Sequence, residues 1–318
     1  MRIALDVMGG DYSPKEQILA AVSWQQTHPE DVLLLVGDEE AIRAELSQHE
    51  TAPERIQVVP ASDVITMNEH PALALRTKKN ASILVATGLV KQGLADAVVS
   101  SGNTGGQMVA GILGLGRLKG VERPPMLAEL PGKTPRAFLD VGANVDCSAK
   151  QLMQFALLGC AYMKAIRGVE DPRVALLSNG AEEKKGNALV QETYQLMKEQ
   201  TSFRFVGSAE GRDLLADDCP EVVVCDGFDG NLVLKTIEGT AMFMAKSCFK
   251  QYGSLPEITK ELDYNQRGGV PLLGIQGISI VCHGSSKQQA IEKGLEVAKN
   301  CVENRLVALQ RQFLEALQ

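Results

Sequence analysis

Aromatic residues are scarce in this sequence: Phe, Trp and Tyr make up 4% of it, with a single Trp. Binders of single-stranded nucleic acid stack bases on aromatic faces, and few such faces exist here. A basic excess is also missing. The 32 Lys and Arg stand against 39 Asp and Glu, a formal net charge of −7, which is the wrong sign for a nucleic-acid partner. Histidines number four, too few to favour a Ser–His–Asp triad. The seven cysteines (147, 160, 219, 225, 248, 282 and 301) form no CxxC pair and no metal-ligand spacing. Their odd number and apolar settings, such as "VVVCDG" and "SIVCHG", read as buried thiols of a reducing cytoplasm. The long uncharged stretches 97–116 and 268–286 are broken by Gly, Asn, Gln, Ser or His, so neither reads as a membrane span. Strand-like "RIALDV" begins at residue 2, where a signal peptide would stand. There is no Walker motif and no GxGxxG after a strand. "GILGLG" (111–116) lies inside a helical pattern, which reads as close helix packing.

What is present is an alternation. Apolar runs at 2–7, 31–37, 55–60, 95–100, 172–178, 203–207, 221–226 and 276–282 are separated by helical patterns. The helical patterns cover 14–27, 39–48, 70–92, 104–117, 148–167, 187–200, 229–250 and 285–315. Continuously apolar strands are buried on both faces, as in a parallel sheet. The βα order therefore predicts an α/β fold, a Rossmann-like parallel-sheet core with helices on both faces. The 318 residues fit one catalytic domain, or two closely packed lobes joined by the Pro-rich passage 122–137. The stretch that follows "TIEG", 240–268, reads as an abridged helical excursion, polar and irregular from residue 250.

Six glycine-rich turns, nearly all just after a predicted strand, punctuate the chain: "DVMGGD" (6–11), "SGNTGG" (101–106), "DVGANVD" (140–146), "SNGAEEKKGN" (178–187), "CDGFDGN" (225–231) and "CHGSS" (282–286). In one parallel sheet these turns would converge on one edge, the usual ligand site. Neutral donors abound there: Asn103, Asn144, Asn179, Asn187, Asn231, Thr104, Ser285 and Ser286. Backbone N–H groups and amides at helix starts suit phosphate-like anions. The asparagines equally suit helix caps, and Lys185 equally suits a solvated first-turn lysine. Five aspartates near this edge (6, 11, 140, 146, 226) show no fixed metal spacing. Charge is uneven along the chain. From Arg76 to Arg136 nine basic residues face three acidic ones, which suggests an anionic ligand or an acidic partner.

Taken together, "IALDVMGGD", "SGNTGG", "LDVGANVDC", "EEKKGN", "DGFDGNLVLKTIEG" and "PLLGIQGISIVCHGSS" resemble the bacterial acyl-ACP:phosphate acyltransferase family, PlsX, in the family's order from residue 3 to about residue 295. The resemblance implies a fold related to phosphotransacetylases and isocitrate/isopropylmalate dehydrogenases, with no cofactor and no metal. It implies a cytoplasmic homodimer with peripheral contact at the inner membrane face. Its reaction would convert acyl carrier protein thioester and orthophosphate to acyl phosphate, for a membrane glycerol-3-phosphate acyltransferase in phospholipid synthesis. Carried over by motif, Lys185, Asn231 and His283 are the catalytic candidates. Gly9, Gly10, Gly102, Asn103, Thr104, Gly105, Asn144, Glu183, Asn187, Gly227, Gly230 and Gly284 would bind or shape the substrate and phosphate site, with Asp6 shaping the first turn. The acidic carrier protein would dock on Arg76, Lys78, Lys79, Arg117, Lys119 and Arg123. The sequence departs from the pattern at "LLSNG", with Ser178 and Asn179 in place of the family's "LLNxG", and in the 28 residues between "TIEG" and "GGVPLLG", which abridge a helical hairpin. Competing readings are a phosphotransacetylase-like enzyme of acyl-CoA, a carrier or phosphate-binding module without turnover, and a metal–NAD dehydrogenase.

Overall fold

A computed structural model describes residues 1–66, 68–132, 135–254 and 268–316. In chain order its strands are β1 (Arg2–Asp6), β2 (Val32–Gly37), β3 (Ile56–Pro60), β4 (Ala97–Ser100), β5 (Leu127–Leu130), β6 (Arg136–Leu139), β7 (Arg173–Ser178), β8 (Arg204–Glu210), β9 (Val222–Val224), β10 (Val270–Pro271) and β11 (Ile278–Val281). The helices are α1 (Lys15–Thr27), α2 (Glu39–Leu46), α3 (Pro71–Thr77), α4 (Ser82–Lys91), α5 (Thr104–Ala110), α6 (Ala149–Arg167), α7 (Ala188–Glu199), α8 (Gly227–Tyr252), α9 (Gln288–Glu303) and α10 (Leu306–Glu315). The chain divides into two compact units. Unit 1 is Met1–Gly116 with Tyr264–Glu303, and unit 2 is Arg117–Asp263 with Asn304–Gln318.

Unit 1 holds a six-stranded sheet in the order β10-β11-β4-β1-β2-β3. Every pair is parallel except β10–β11. The central strands β1 and β4 bury nearly every residue, which explains their unbroken apolar character. Register brings three strand ends level, because Asp6 pairs with Ser100 and Ser100 pairs with Val281. The chain runs from β1 outward to β2 and β3, while β4 lies on the other side of β1. The crevice between β1 and β4 is thus the topological switch point, where open α/β sheets bind ligands.

Unit 2 holds a five-stranded sheet, β5-β6-β9-β7-β8, antiparallel only at β5–β6. Here Leu139 and Leu176 both pair with Val224, so the turns after β6, β7 and β9 leave at one level. α6 starts with a capping box of Ser148 and Gln151 and ends on Gly168, left-handed at φ 66°.

The single sheet edge expected from the turns is therefore two. The turns after β1, β4 and β11 belong to unit 1, and those after β6, β7 and β9 to unit 2. The passage 122–137 lies in unit 2 and supplies β5 and the start of β6. The helix expected over 70–92 is two, α3 and α4, separated where Ala81 bridges to Asp63. That over 285–315 also splits, at Arg305 with φ 51°. In the excursion expected over 240–268, α8 runs on to Tyr252, and 255–267 lie outside the described residues. Gly111 packs on Leu272 and Gly114 on Thr87, so "GILGLG" does serve close packing.

Candidate functional site

In unit 1 the turns after β1 and β4 meet backbone to backbone. A Cβ placed on Gly9 would lie 2.6 Å from both the nitrogen and the Cα of Gly102. No side chain fits at Gly9, so that glycine is required by proximity, while a Cβ on Gly102 would stand a tight 3.2 Å from the Gly9 Cα. Gly10 is required by conformation as well, at φ 103°. Beneath them Asp6 is 2% exposed. Its carboxylate accepts the Ser100 hydroxyl at 2.7 Å and the Met8 N–H at 3.2 Å. Burial pushes the Asp6 carboxyl above its ordinary value, while hydrogen bonds from Ser82, Ser100, Met8 and Gly9 work against that. Asp6 thus organises the turn from below.

Asn103 caps α5: its Oδ1 accepts the Gly106 N–H at 2.9 Å, and its Nδ2 donates to the Thr66 carbonyl at 2.9 Å. The expected amide donor is therefore committed to holding the loop. Capping also takes Gly106, and Gln107 donates to the Asn103 carbonyl. The first two helical N–H groups, of Thr104 and Gly105, have no intrahelical partner. They and the half-buried Thr104 hydroxyl are what this turn presents.

The β11 turn closes the group. The Gly284 carbonyl accepts the Asp11 N–H at 2.8 Å, and a Cβ on Gly10 would stand 3.1 Å from that carbonyl oxygen. His283 is exposed, and its Nδ1 accepts the Ser285 N–H at 3.2 Å. The same Nδ1 lies 2.7 Å from the Ser285 hydroxyl, which leaves Nε2 as the ring nitrogen not engaged by Ser285.

The unit 2 turns are built by the same device. Asp140, fully buried, accepts N–H groups of Met126, Gly142, Ala143 and Asn144 and the Asn144 side-chain amide. Burial raises the Asp140 carboxyl, and these donors oppose the rise. Asn144 also donates to the Pro124 carbonyl at 2.9 Å, so its amide too is structural. Gly227 and Gly230 let α8 approach this turn. A Cβ on Gly227 would stand 2.8 Å from the Asn144 carbonyl oxygen, and one on Gly230 would overlap the Asp140 carbonyl. The N–H groups of the first turn of α8 are all taken, by Asn144 and Asp226. Asn231 is exposed, and its amide lies against Gly142.

Lys185 is exposed, its aliphatic stem against Gly180. Glu183 turns away from it to Gln195 and Lys198, each at 3.0 Å, and these hold its carboxyl below the usual range. Asn187 caps α7 through the Val190 N–H at 2.9 Å. Burial pushes the Cys147 thiol up to about 12, which leaves negligible thiolate for nucleophilic attack.

The residues expected to dock a carrier protein fall in both units. Arg76, Lys78 and Lys79 lie in unit 1, and Arg117, Lys119 and Arg123 in unit 2. Lys78 donates to Glu69 and to the Val64 carbonyl, each at 2.6 Å. Arg117 reaches the Glu122 carbonyl, and Arg123 reaches that of Asp146 at 3.5 Å. Arg136, counted among the basic residues, is 1% exposed and holds the carbonyls of Pro131, Leu214 and Ala216. It belongs to the core, and Lys133 lies outside the described residues. Residues that sequence reasoning missed are Ser101 and Gln17, which join the β1 and β4 turns. Ser101 stood inside a quoted motif, whereas Gln17 carries no local signal beyond its place in the helix after a Gly-Gly turn.

Residues 1–309 match the family described as fatty acid synthesis protein. A phosphate acyltransferase from Syntrophomonas wolfei is 51% identical over 313 residues, covering 98% of each chain. One from Desulforamulus reducens is 46% identical over 99% of this chain and 98% of the relative. Among solved structures, a phosphotransacetylase from Staphylococcus aureus covers 96% of this chain and 94% of its own, at TM-score 0.61 and 16% identity. A 4-hydroxythreonine-4-phosphate dehydrogenase from Salmonella typhimurium covers 94% and 98%, at TM-score 0.56 and 12% identity. These two share the Rossmann-like architecture. With fold, turns and full-length relatives agreeing, the chain belongs to the phosphate acyltransferase family, PlsX, and is an acyltransferase.

Proposed function

We propose that the protein transfers a fatty acyl group from acyl carrier protein to orthophosphate. The turn at 101–105 in unit 1 cradles the phosphate. The observation that carries this is the Gly9–Gly102 backbone contact at the switch point, beside which the Thr104 and Gly105 N–H groups start α5. A phosphate oxygen attacks the thioester carbonyl, a C–O bond forms, and a tetrahedral oxyanion develops. Its collapse breaks the C–S bond and releases the thiolate, which takes up a proton. The nucleophile is the second substrate, so no serine or cysteine is needed.

In unit 1, the His283 ring is the candidate donor to the oxyanion or the departing sulfur; Lys185 and Asn231, in unit 2, are candidates on the strength of their motifs alone. One such donor is worth about 3 kcal/mol of barrier lowering. Fixing the phosphate is worth roughly 7 kcal/mol or more, so positioning dominates. Phe228 and Leu232, one turn apart on α8 and each 60% exposed, flank Asn231 with apolar surface suited to an acyl chain. Arg76, Lys79, Arg117 and Lys119 are exposed and suit an acidic carrier protein, raising its association rate in a salt-sensitive way. The acyl phosphate would pass to a membrane glycerol-3-phosphate acyltransferase, with the enzyme a homodimer at the cytoplasmic face. No helix among the described residues is long and apolar enough to cross a membrane.

The test is thiol release from acyl carrier protein, followed with and without phosphate and with acyl-CoA in parallel. The proposal expects saturable phosphate dependence and preference for the carrier protein. Equal use of acyl-CoA would move the assignment to a phosphotransacetylase-like enzyme, and carrier binding without turnover would leave only a binding module.

A further inference from the structure

Two consecutive residues in the first turn of α1 hold two turns of the unit 1 rim and the helix that follows the third. Gln17 is 1% exposed. Its Nε2 donates to the Gly9 carbonyl at 2.6 Å and to the Ser101 hydroxyl at 3.0 Å. That hydroxyl donates in turn to the same Gly9 carbonyl at 2.9 Å. The result is a closed polar triangle joining the β1 turn to the β4 turn, directly below the contact between Gly9 and Gly102. Gly10 leaves room for it: a Cβ there would stand 2.9 Å from Ser101 Oγ and 3.2 Å from Gln17 Nε2. The neighbouring Glu16 accepts the Gln288 N–H at 2.8 Å, at the start of α9 just beyond the β11 turn.

Gln17 carries a cost. Its Oε1 is buried with no hydrogen-bond partner among the described residues. An unpaired buried carbonyl lowers stability, and methionine would fill the same volume without it. What the side chain supplies in return is its two donors, both aimed at the β1 and β4 turns.

We propose that Gln17 is a positioning residue for phosphate. It fixes the spacing of the Gly9–Gly10 and Ser101–Thr104 turns, and so the aim of the Thr104 and Gly105 N–H groups. This rests on the assignment of the unit 1 rim to orthophosphate. Loss of the clamp loosens the phosphate cradle and leaves acyl binding alone. The signature is a rise in the KM for phosphate that the KM for acyl carrier protein does not share.

The experiment compares full-length wild type, Gln17→Met, Gln17→Glu and Ser101→Ala in steady-state kinetics with both substrates varied. Thermal unfolding is measured beside the kinetics. Gln17→Met is expected to raise the phosphate KM about ten-fold, with the acyl carrier protein KM within about two-fold. Gln17→Glu adds a pH readout. Ionised, the new carboxylate has no donor for the Gly9 carbonyl; protonated, it has one. Its defect relative to wild type is therefore expected to shrink as pH falls, which a filler of space would not do. Equal loss in all parameters, or a phosphate KM within two-fold of wild type in a folded Gln17→Met protein, overturns the proposal. Should Gln17→Met not fold, Ser101→Ala decides: a rise in the phosphate KM supports the clamp, and an unchanged value overturns it. Absence of phosphate dependence in wild type would instead sink the underlying reading of function.

Discussion

Adding a single methyl group at Gly9 is the sharpest perturbation of the rim. In Gly9→Ala the new carbon would start 2.6 Å from the Gly102 nitrogen and Cα, and 3.0 Å from Asp6 Oδ2. Carbon atoms rest about 3.5–4.0 Å apart, so the two turns must part by roughly 1 Å. Gly9 itself is not among the residues at positive φ, so the effect comes from the contact and not from backbone strain. Overpacking of this kind costs roughly 1–3 kcal/mol. For units of this size each kcal/mol lowers Tm by about 2–4 °C, which scanning calorimetry resolves. The functional cost is larger in proportion, because a 1 Å misplacement of a catalytic site can cost about 100-fold in rate. The expected variant is folded, a few degrees less stable, and about 100-fold slower in phosphate-dependent turnover. An unchanged Tm would refute the packing. A lowered Tm with turnover within about two-fold of wild type would keep the packing and refute this rim as the phosphate site.

Other outcomes follow from the same geometry. Gly230→Ala puts its methyl into the Asp140 carbonyl and should destabilise unit 2 by about 3 kcal/mol or more, visible as a shifted denaturant midpoint. Lys185→Ala removes an exposed side chain, so stability should stay within about 0.5 kcal/mol while turnover falls, and wild-type turnover would remove Lys185 from the mechanism. Arg136→Leu strands three carbonyls and should cost about 2–4 kcal/mol in calorimetry without changing the phosphate KM of the folded fraction. For Glu221, burial raises the carboxyl, but hydrogen bonds from Arg173 outweigh it and the folded value lies below the unfolded one. Its stabilisation is therefore full above the unfolded carboxylate value and lost as pH falls through the folded value. The Tm gap between wild type and Glu221→Gln should close as pH drops below about 4, and a gap independent of pH would contradict the pairing.

Much of this architecture is legible in the chain. β1, β4, β7, β9 and β11 announce themselves because strands covered on both faces have no polar side to alternate. β5 and β6 do not, since four-residue strands among Pro124, Pro125, Pro131 and Pro135 look like a linker. A strand's sequence also does not say which neighbour it takes, so six turns that read as one edge became two sets of three. The asparagines show a different limit. Cap and ligand donor use the same amide, and only geometry assigns Asn103, Asn144 and Asn187 to holding loops. Glu183 sits two residues from Lys185 in sequence, yet its partners lie on α7. Gln17 was invisible because its importance lies in two atoms 84 positions and 8 positions away.

The central claim is that orthophosphate itself attacks the thioester. Acyl carrier protein thioester incubated with enzyme and phosphate fully labelled with oxygen-18 tests it directly, with products read by mass spectrometry. The account predicts acyl phosphate carrying every labelled oxygen, formed one for one with free thiol. Free fatty acid bearing solvent oxygen, released at a rate indifferent to phosphate, would contradict it.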